Sequence, residues 1–196
     1  MSIEIPLTRI KDVQIRPVNF SGTQDGTLGG PSLPIPRLGD RFAVDITTTQ
    51  LRQDAESRQL IAALFQATTD DARIRIIQPN RRPGGFRAVV DGSGQSGRTL
   101  NVRGLPANAA FETGEFFSIV HNLQRFVYMT AGQAIAGGDG RATVPIWPMQ
   151  RTLTVDASTC EFVAPYIEGQ LVGFDKGAGF ERNRTKPLTF SIVERA

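Results

Sequence analysis

The feature that most constrains this chain is its punctuation: short apolar runs, rarely longer than six residues, are cut apart by 20 glycines and 12 prolines. Alternation between such breaks favours strands joined by turns over long helices. Arg41-Phe42-Ala43-Val44-Asp45-Ile46 puts Phe42, Val44 and Ile46 on one face, as in a half-buried strand. Arg73–Ile76, Phe86–Val90 and Leu188–Val193 read the same way, and Ile3–Phe20 reads as one or two strands. Phe116–Val120, Gln124–Thr130 and Arg141–Trp147 follow at close spacing, with a turn near Asn122, as in a small meander. Pro145 lies inside the last of these, and a proline without an N–H to donate predicts an edge position for that strand.

Only one segment has helical spacing. The pattern predicts a helix over about 50–67, started by Thr48 or Thr49 and facing inward with Leu51, Ala55, Ile61, Ala62 and Phe65, widened by Leu60 and Leu64. Two stretches resist regular structure. SGTQDGTLGGPSLPIPR, from Ser21 to Arg37, reads as a long loop, and loops of that length are uncommon unless functional or ordered by a partner. DGSGQSGRT, from Asp91 to Thr99, reads as a linker at a module boundary.

Chemistry is sparse. His121 is the only histidine and Cys160 the only cysteine, so neither a multi-histidine metal site nor an intrachain disulfide is available. No glycine-flanked serine accompanies His121, and nothing around Cys160 predicts a lowered thiol pKa, so a buried inert thiol is expected. The Asp91–Gly97 stretch lacks the Lys-Ser/Thr ending and following helix of a phosphate loop. Asp70-Asp71 offers an acid pair of a kind common to proteins of this size. No catalytic residue, cofactor site or metal site is assigned, and the chain is not expected to be an enzyme. A net charge of +3 is too balanced to nominate nucleic acid or a membrane as partner. The first residues do not have the basic-then-apolar order of a secretory signal, and no apolar run has membrane-spanning length. The expected setting is a reducing cytoplasm. The basic clusters Asn80-Arg81-Arg82 and Glu181-Arg182-Asn183-Arg184 read as solvated loops or as contacts to a neighbouring subunit, and lack the interleaved aromatics of a nucleic-acid surface.

A set of ordered phrases in the middle of the chain carries a resemblance. Val90-Asp91-Gly92-Ser93-Gly94-Gln95-Ser96-Gly97 is followed by Gly114-Glu115-Phe116-Phe117-Ser118-Ile119. Next comes Arg125-Phe126-Val127-Tyr128, and then Gly138-Asp139-Gly140-Arg141-Ala142-Thr143 leads through Val144-Pro145-Ile146-Trp147-Pro148 to Arg151. The set resembles the inserted module of distal tail proteins in siphophages of proteobacteria. The resemblance implies a mostly-β chain of the all-β or α+β class. Residues 1–88 and 166–196 would form a tail-tube-like β-sandwich with one flanking α-helix, and 89–165 an inserted small β-barrel-like module. It implies a structural virion protein that closes a ring with itself, usually hexameric, joining the tail tube protein to the tail-tip hub protein. Its place would be the virion tail tip, after assembly in the host cytoplasm. Candidate oligomer contacts are Thr23, Asp25, Leu28, Leu33 and Ile35 of the long loop, with Arg81, Arg82, Arg182 and Arg184. Two other readings stay open: a tail-tube, tail-terminator or connector subunit, and a host-surface carbohydrate-binding module using Phe126, Tyr128 and Trp147 as exposed aromatics.

Overall fold

Short alternating runs become short strands, and their pairing partners lie far apart in the chain. The computed structural model describes residues 2–78, 86–181 and 184–195. The first part supplies β1 (Ile3–Glu4), β2 (Ile10–Val18), β3 (Gly22–Gln24), β4 (Leu33–Ile35), β5 (Arg41–Thr48), β6 (Leu51–Arg52), α1 (Ala55–Gln66) and β7 (Ala72–Arg75). The middle supplies β8 (Ala88–Val90), β9 (Thr99–Arg103), β10 (Ala110–Phe111), β11 (Phe116–His121) and β12 (Gln124–Thr130). It continues with β13 (Ala134–Ile135), β14 (Ala142–Trp147) and β15 (Thr159–Glu161). The last part adds β16 (Tyr166–Val172), β17 (Phe180–Glu181), β18 (Arg184–Thr185) and β19 (Thr189–Glu194).

The fold is mostly β with one helix. A mixed six-stranded sheet runs β1-β7-β16-β19-β5-β2, with β1 and β7 the parallel pair. A second unit is a closed antiparallel barrel, β11-β12-β14-β9-β8-β15, threaded between β7 and β16. A three-stranded ribbon, β17-β18-β6, and helix α1 complete the larger unit. Among the described residues no helix is long and apolar enough to cross a membrane.

The helix is shorter than its sequence pattern predicted and is turned on its axis. Asp54, not Thr48 or Thr49, caps it, its Oδ1 accepting the Ser57 N–H at 2.8 Å. Leu51 is buried, but in extended backbone paired with Thr185. The inward face is Ser57, Leu60, Leu64 and Ala67, spaced by three or four residues. Ala55, Ala62 and Phe65 are exposed, and Phe65 flanks the contact edge-on to Phe174 at 5.3 Å. The five-member stripe read from the sequence was thus centred on the wrong side of Leu64, because sheet contact selects the face.

The barrel core is aromatic and full. Phe117 stacks on Phe162 at 4.5 Å, and Phe162 meets Phe111 at 4.8 Å, with Leu100, Val102, Val144 and Ile146 around them. Pro145 does not lie on an edge strand, since β14 pairs with both β9 and β12. It is tolerated because it sits where the β12 ladder ends. Its carbonyl accepts the Ala131 N–H at 2.8 Å, and the missing N–H forfeits one terminal bond.

The two units share one strand. In β12, Phe126 and Tyr128 point into the barrel while Val127 and Met129 pack on the sheet's core. Phe42 of β5 closes the contact edge-on to Phe116 (5.3 Å) and Trp147 (5.0 Å). The Gln78 side chain pairs with the Phe116 backbone like a short strand, donating to its carbonyl at 2.6 Å and accepting its N–H at 2.8 Å. Arg125 reaches from Glu161 of the barrel to Glu168 of the sheet.

At the centre lies Glu194. Its carboxyl accepts the Phe42 N–H (2.8 Å) from the sheet, the Val127 N–H (2.6 Å) from the barrel, and Arg151 Nη2 (2.9 Å). Burial pushes its pKa up, opposed by the Arg151 charge and the two backbone donors. Gly169 faces Glu194 across the β16–β19 pair, and a Cβ there would stand 2.0 Å from the Val193 carbonyl oxygen. Only glycine permits that approach.

Leu64→Asp is expected to leave the protein insoluble, since it buries an unpaired carboxylate in the sheet contact. Phe65→Asp is expected to stay soluble and lose only a few degrees of melting temperature, as a half-exposed ring edge predicts. The partition of each variant between soluble and insoluble fractions, with thermal denaturation of soluble Phe65→Asp protein, checks this phase of the helix.

Candidate assembly surface

The loop between β2 and β5 turns out to be a small antiparallel hairpin. Gly22, Thr23 and Gln24 pair with Ile35, Pro34 and Leu33. Its tip is a single 3-10 turn, Thr27–Gly29, closed by Gly30 N–H donating to the Thr27 carbonyl. The tip is wound so tightly that a Cβ on Gly26 would meet the Gly30 carbonyl carbon at 2.6 Å. Leu28 sits there in left-handed backbone (φ 59°), a conformation that costs a branched residue energy, and its side chain is fully exposed.

The root of the hairpin is clamped. Asp40 Oδ1 accepts the N–H of Phe20 (2.7 Å) and of Ser21 (2.9 Å), while Oδ2 accepts the Ser21 hydroxyl (2.6 Å). Ser21 Oγ in turn accepts the Arg37 N–H at 3.0 Å, closing the two strands of the root on each other. The Arg41 guanidinium lies over the Phe20 ring at 4.7 Å. Burial pushes the Asp40 pKa up, but the donors from Ser21 and Phe20 outweigh it, with the Arg98 charge adding, and hold the carboxyl below its usual range. A depressed folded pKa means the clamp's stabilisation is present above the ordinary Asp value of about 3.9 and is lost as pH falls through the lower folded one. The clamp is therefore intact across the neutral range.

Thr23, Asp25, Leu28, Leu33 and Ile35 are all on this arm, and all are exposed. Leu38 and Phe20, which the sequence reading passed over, extend the exposed apolar surface toward the root. Asp25 forms no ion pair among the described residues. Arg81, Arg82 and Arg182 lie outside the described residues. Arg184 is in β18, its backbone paired with Arg52 and Glu181, remote in sequence from the arm.

The three aromatics proposed as an exposed platform are not one. Phe126 and Tyr128 are buried in the barrel under the Arg151 guanidinium, which lies 5.1 Å and 5.9 Å from their rings. Trp147 is half-buried against Phe42. Alternation alone does not say which side of a strand faces solvent when both faces are covered, as they are in β12.

Other reactive groups are quiet. Cys160 is buried in the barrel, its thiol pushed up to about 12 by burial and then by the Glu161 charge. His121 lies beside the tight Asn122-Leu123 turn, its Nε2 3.1 Å from Asn122 Nδ2. Among the described residues no three His, Cys, Asp or Glu side chains gather to hold a metal. The Asp91–Gly97 loop is spent on structure: Gln95 donates to the carbonyls of Asp91, Gly92 and Asn101, and Arg103 bridges Asp91 and Asp156.

Compared with known protein families and with curated proteins, the chain matches no family model and no curated sequence.

Asp40→Ala is expected to loosen the root without unfolding the body. Trypsin cleavage at Arg37 should accelerate by about tenfold, since local cleavage tracks the open population, with the melting temperature nearly unchanged. Equal cleavage rates for wild type and variant would show that the clamp does not hold the arm.

Proposed function

We propose that this chain is a structural subunit of a phage tail tip, a distal tail protein that closes a ring and links the tail tube to the tip hub. The observation that carries the reading is the arm. A two-stranded hairpin with three residue pairs is marginal in water by itself. This one nonetheless displays Leu28 fully and Leu33 and Ile35 in large part to solvent. Burying each such side chain is worth roughly 1.5–3 kcal/mol, so the arm leaves a stabilisation unclaimed that a second protein surface would supply. A clamped root presents the arm in one pose and lowers the ordering cost of being gripped.

The rest of the molecule supports an architectural role. The chain resembles distal tail proteins through ordered phrases that fall on β11, β12 and β14 of the barrel. The barrel is fastened to the sheet by aromatic packing and by Glu194, which suits a part that carries load between neighbours. The chemistry of His121 and Cys160 gives no reason to look for catalysis. The ring would be built from copies of this chain, six by the resemblance, with tube protein above and hub protein below.

Light scattering across a concentration series is expected to find a discrete oligomer near six or twelve subunits, with a central bore in negative-stain images. Deleting Thr23–Pro34 is expected to reduce it to a folded monomer with an unchanged circular dichroism spectrum. A deletion variant that assembles like the wild type would overturn the role given to the arm.

A further inference from the structure

A second apolar surface that the described residues leave partly open lies at the other end of β2. Leu7, Ile10, Val13 and Ile15 line a shallow cleft of about 310 Å³ whose far wall is Ile77, itself 62% exposed. Lys11 and Asp12 stand on its rim. All four aliphatic side chains on the β2 side are only partly buried, and Ile77 leaves the cleft open beside the unpaired outer edge of β2. It is at the small end of the range for ligand pockets and carries no converging polar groups, which fits inserted side chains better than a metabolite.

We infer that this cleft receives the hairpin arm of a second copy of the chain, Leu28 and Leu33 seating against Ile10, Val13 and Ile77. The inference rests on the ring reading and names the receiving surface. Three observations point to this occupant. First, arm and cleft sit at opposite ends of one strand: the arm leaves β2 after Val18, whereas the cleft covers Ile10 to Ile15. The clamp at Asp40 holds the arm's root at its own end, so the cleft is filled from another molecule. Second, the surfaces match in kind. The tip offers branched aliphatic side chains and the cleft is walled by them. Third, Asp25 beside the tip and Lys11 on the rim are opposite charges, and neither has an ion-pair partner among the described residues. Asp12 on the same rim repels Asp25, which favours a seating with Asp25 on the Lys11 side.

Knob and hole at opposite ends of one strand make a heterologous, head-to-tail contact. Repetition of such a contact closes a ring when the rotation between copies divides a full turn, and gives a filament otherwise.

Single-cysteine chains test the pairing directly. In a Cys160→Ser background, Leu28→Cys protein is mixed with Ile77→Cys protein and oxidised with copper-phenanthroline. The control mixture pairs Leu28→Cys with Leu123→Cys, a fully exposed turn residue at the barrel tip. A covalent dimer at least ten times more abundant than in the control is expected, and a chain carrying both cysteines should give a ladder of multimers. Dimer no more abundant than in the control overturns the inference. Light scattering of the same samples before oxidation separates the two claims. Oligomers without the specific cross-link sink the cleft and spare the ring, whereas monomers without it sink both. Ile77→Asp offers a second reading, with loss of the oligomer expected at an unchanged melting temperature and an intact oligomer counting against the cleft.

Discussion

One buried carboxyl holds the two halves of this molecule in register. Glu194 is the last residue of the last strand, and within its reach are an N–H from the sheet, an N–H from the barrel, and the guanidinium of Arg151. Phe42 belongs to β5 of the sheet and Val127 to β12 of the barrel, so one carboxyl pairs a backbone donor from each unit. A buried donor without a partner costs about 1–3 kcal/mol, and an uncompensated buried charge costs more. The three groups therefore need Glu194 as much as it needs them. Arg151 in turn covers Phe126 and Tyr128, so the same contact seals the barrel's aromatic core. The barrel sits on the sheet as one body with it.

Rigidity of the body gives the arm its meaning. An apolar hairpin on a loosely jointed protein would sample many directions and bind at high entropic cost. Clamped by Asp40 at the end of β2, with β2 itself fixed to β5 over eight paired positions, the arm points one way relative to the cleft. In the proposed ring the distance from arm to cleft is then set by the length of a single strand, and the curvature of the assembly by the twist of the sheet.

Much of this was legible in the sequence. Short apolar runs bounded by turn residues located β5, β11, β12, β14 and β19 to within a residue or two. The helix was visible, but its phase was not. Leu60, Ile61, Leu64 and Phe65 present two adjacent apolar faces, and contact with the sheet chooses between them. Phe126 and Tyr128 were misplaced for a related reason: a strand shared by two cores has no solvent side. Glu194 and Arg151 carried no signal at all, since an acidic residue near a chain end and an arginine after Gln150 read as surface. Asp40 was equally silent, because its donors Phe20 and Ser21 lie a whole hairpin away. The arm itself announced its importance through length and glycine content, while the pairing of Gly22–Gln24 with Leu33–Ile35 was hidden by Pro34 within the second strand and by Pro31 and Pro36 around it.

The most direct test of the joint is native-state hydrogen exchange read at the Phe42 and Val127 amides. Both are expected to exchange only through global unfolding, with the same opening free energy as core amides such as Val44 and Ile192, and Glu194→Ala is expected to release the two together. Exchange of Val127 through a separate, lower-energy opening, with Phe42 still protected, would mean that the barrel moves independently of the sheet and would contradict the single rigid body on which the assembly depends.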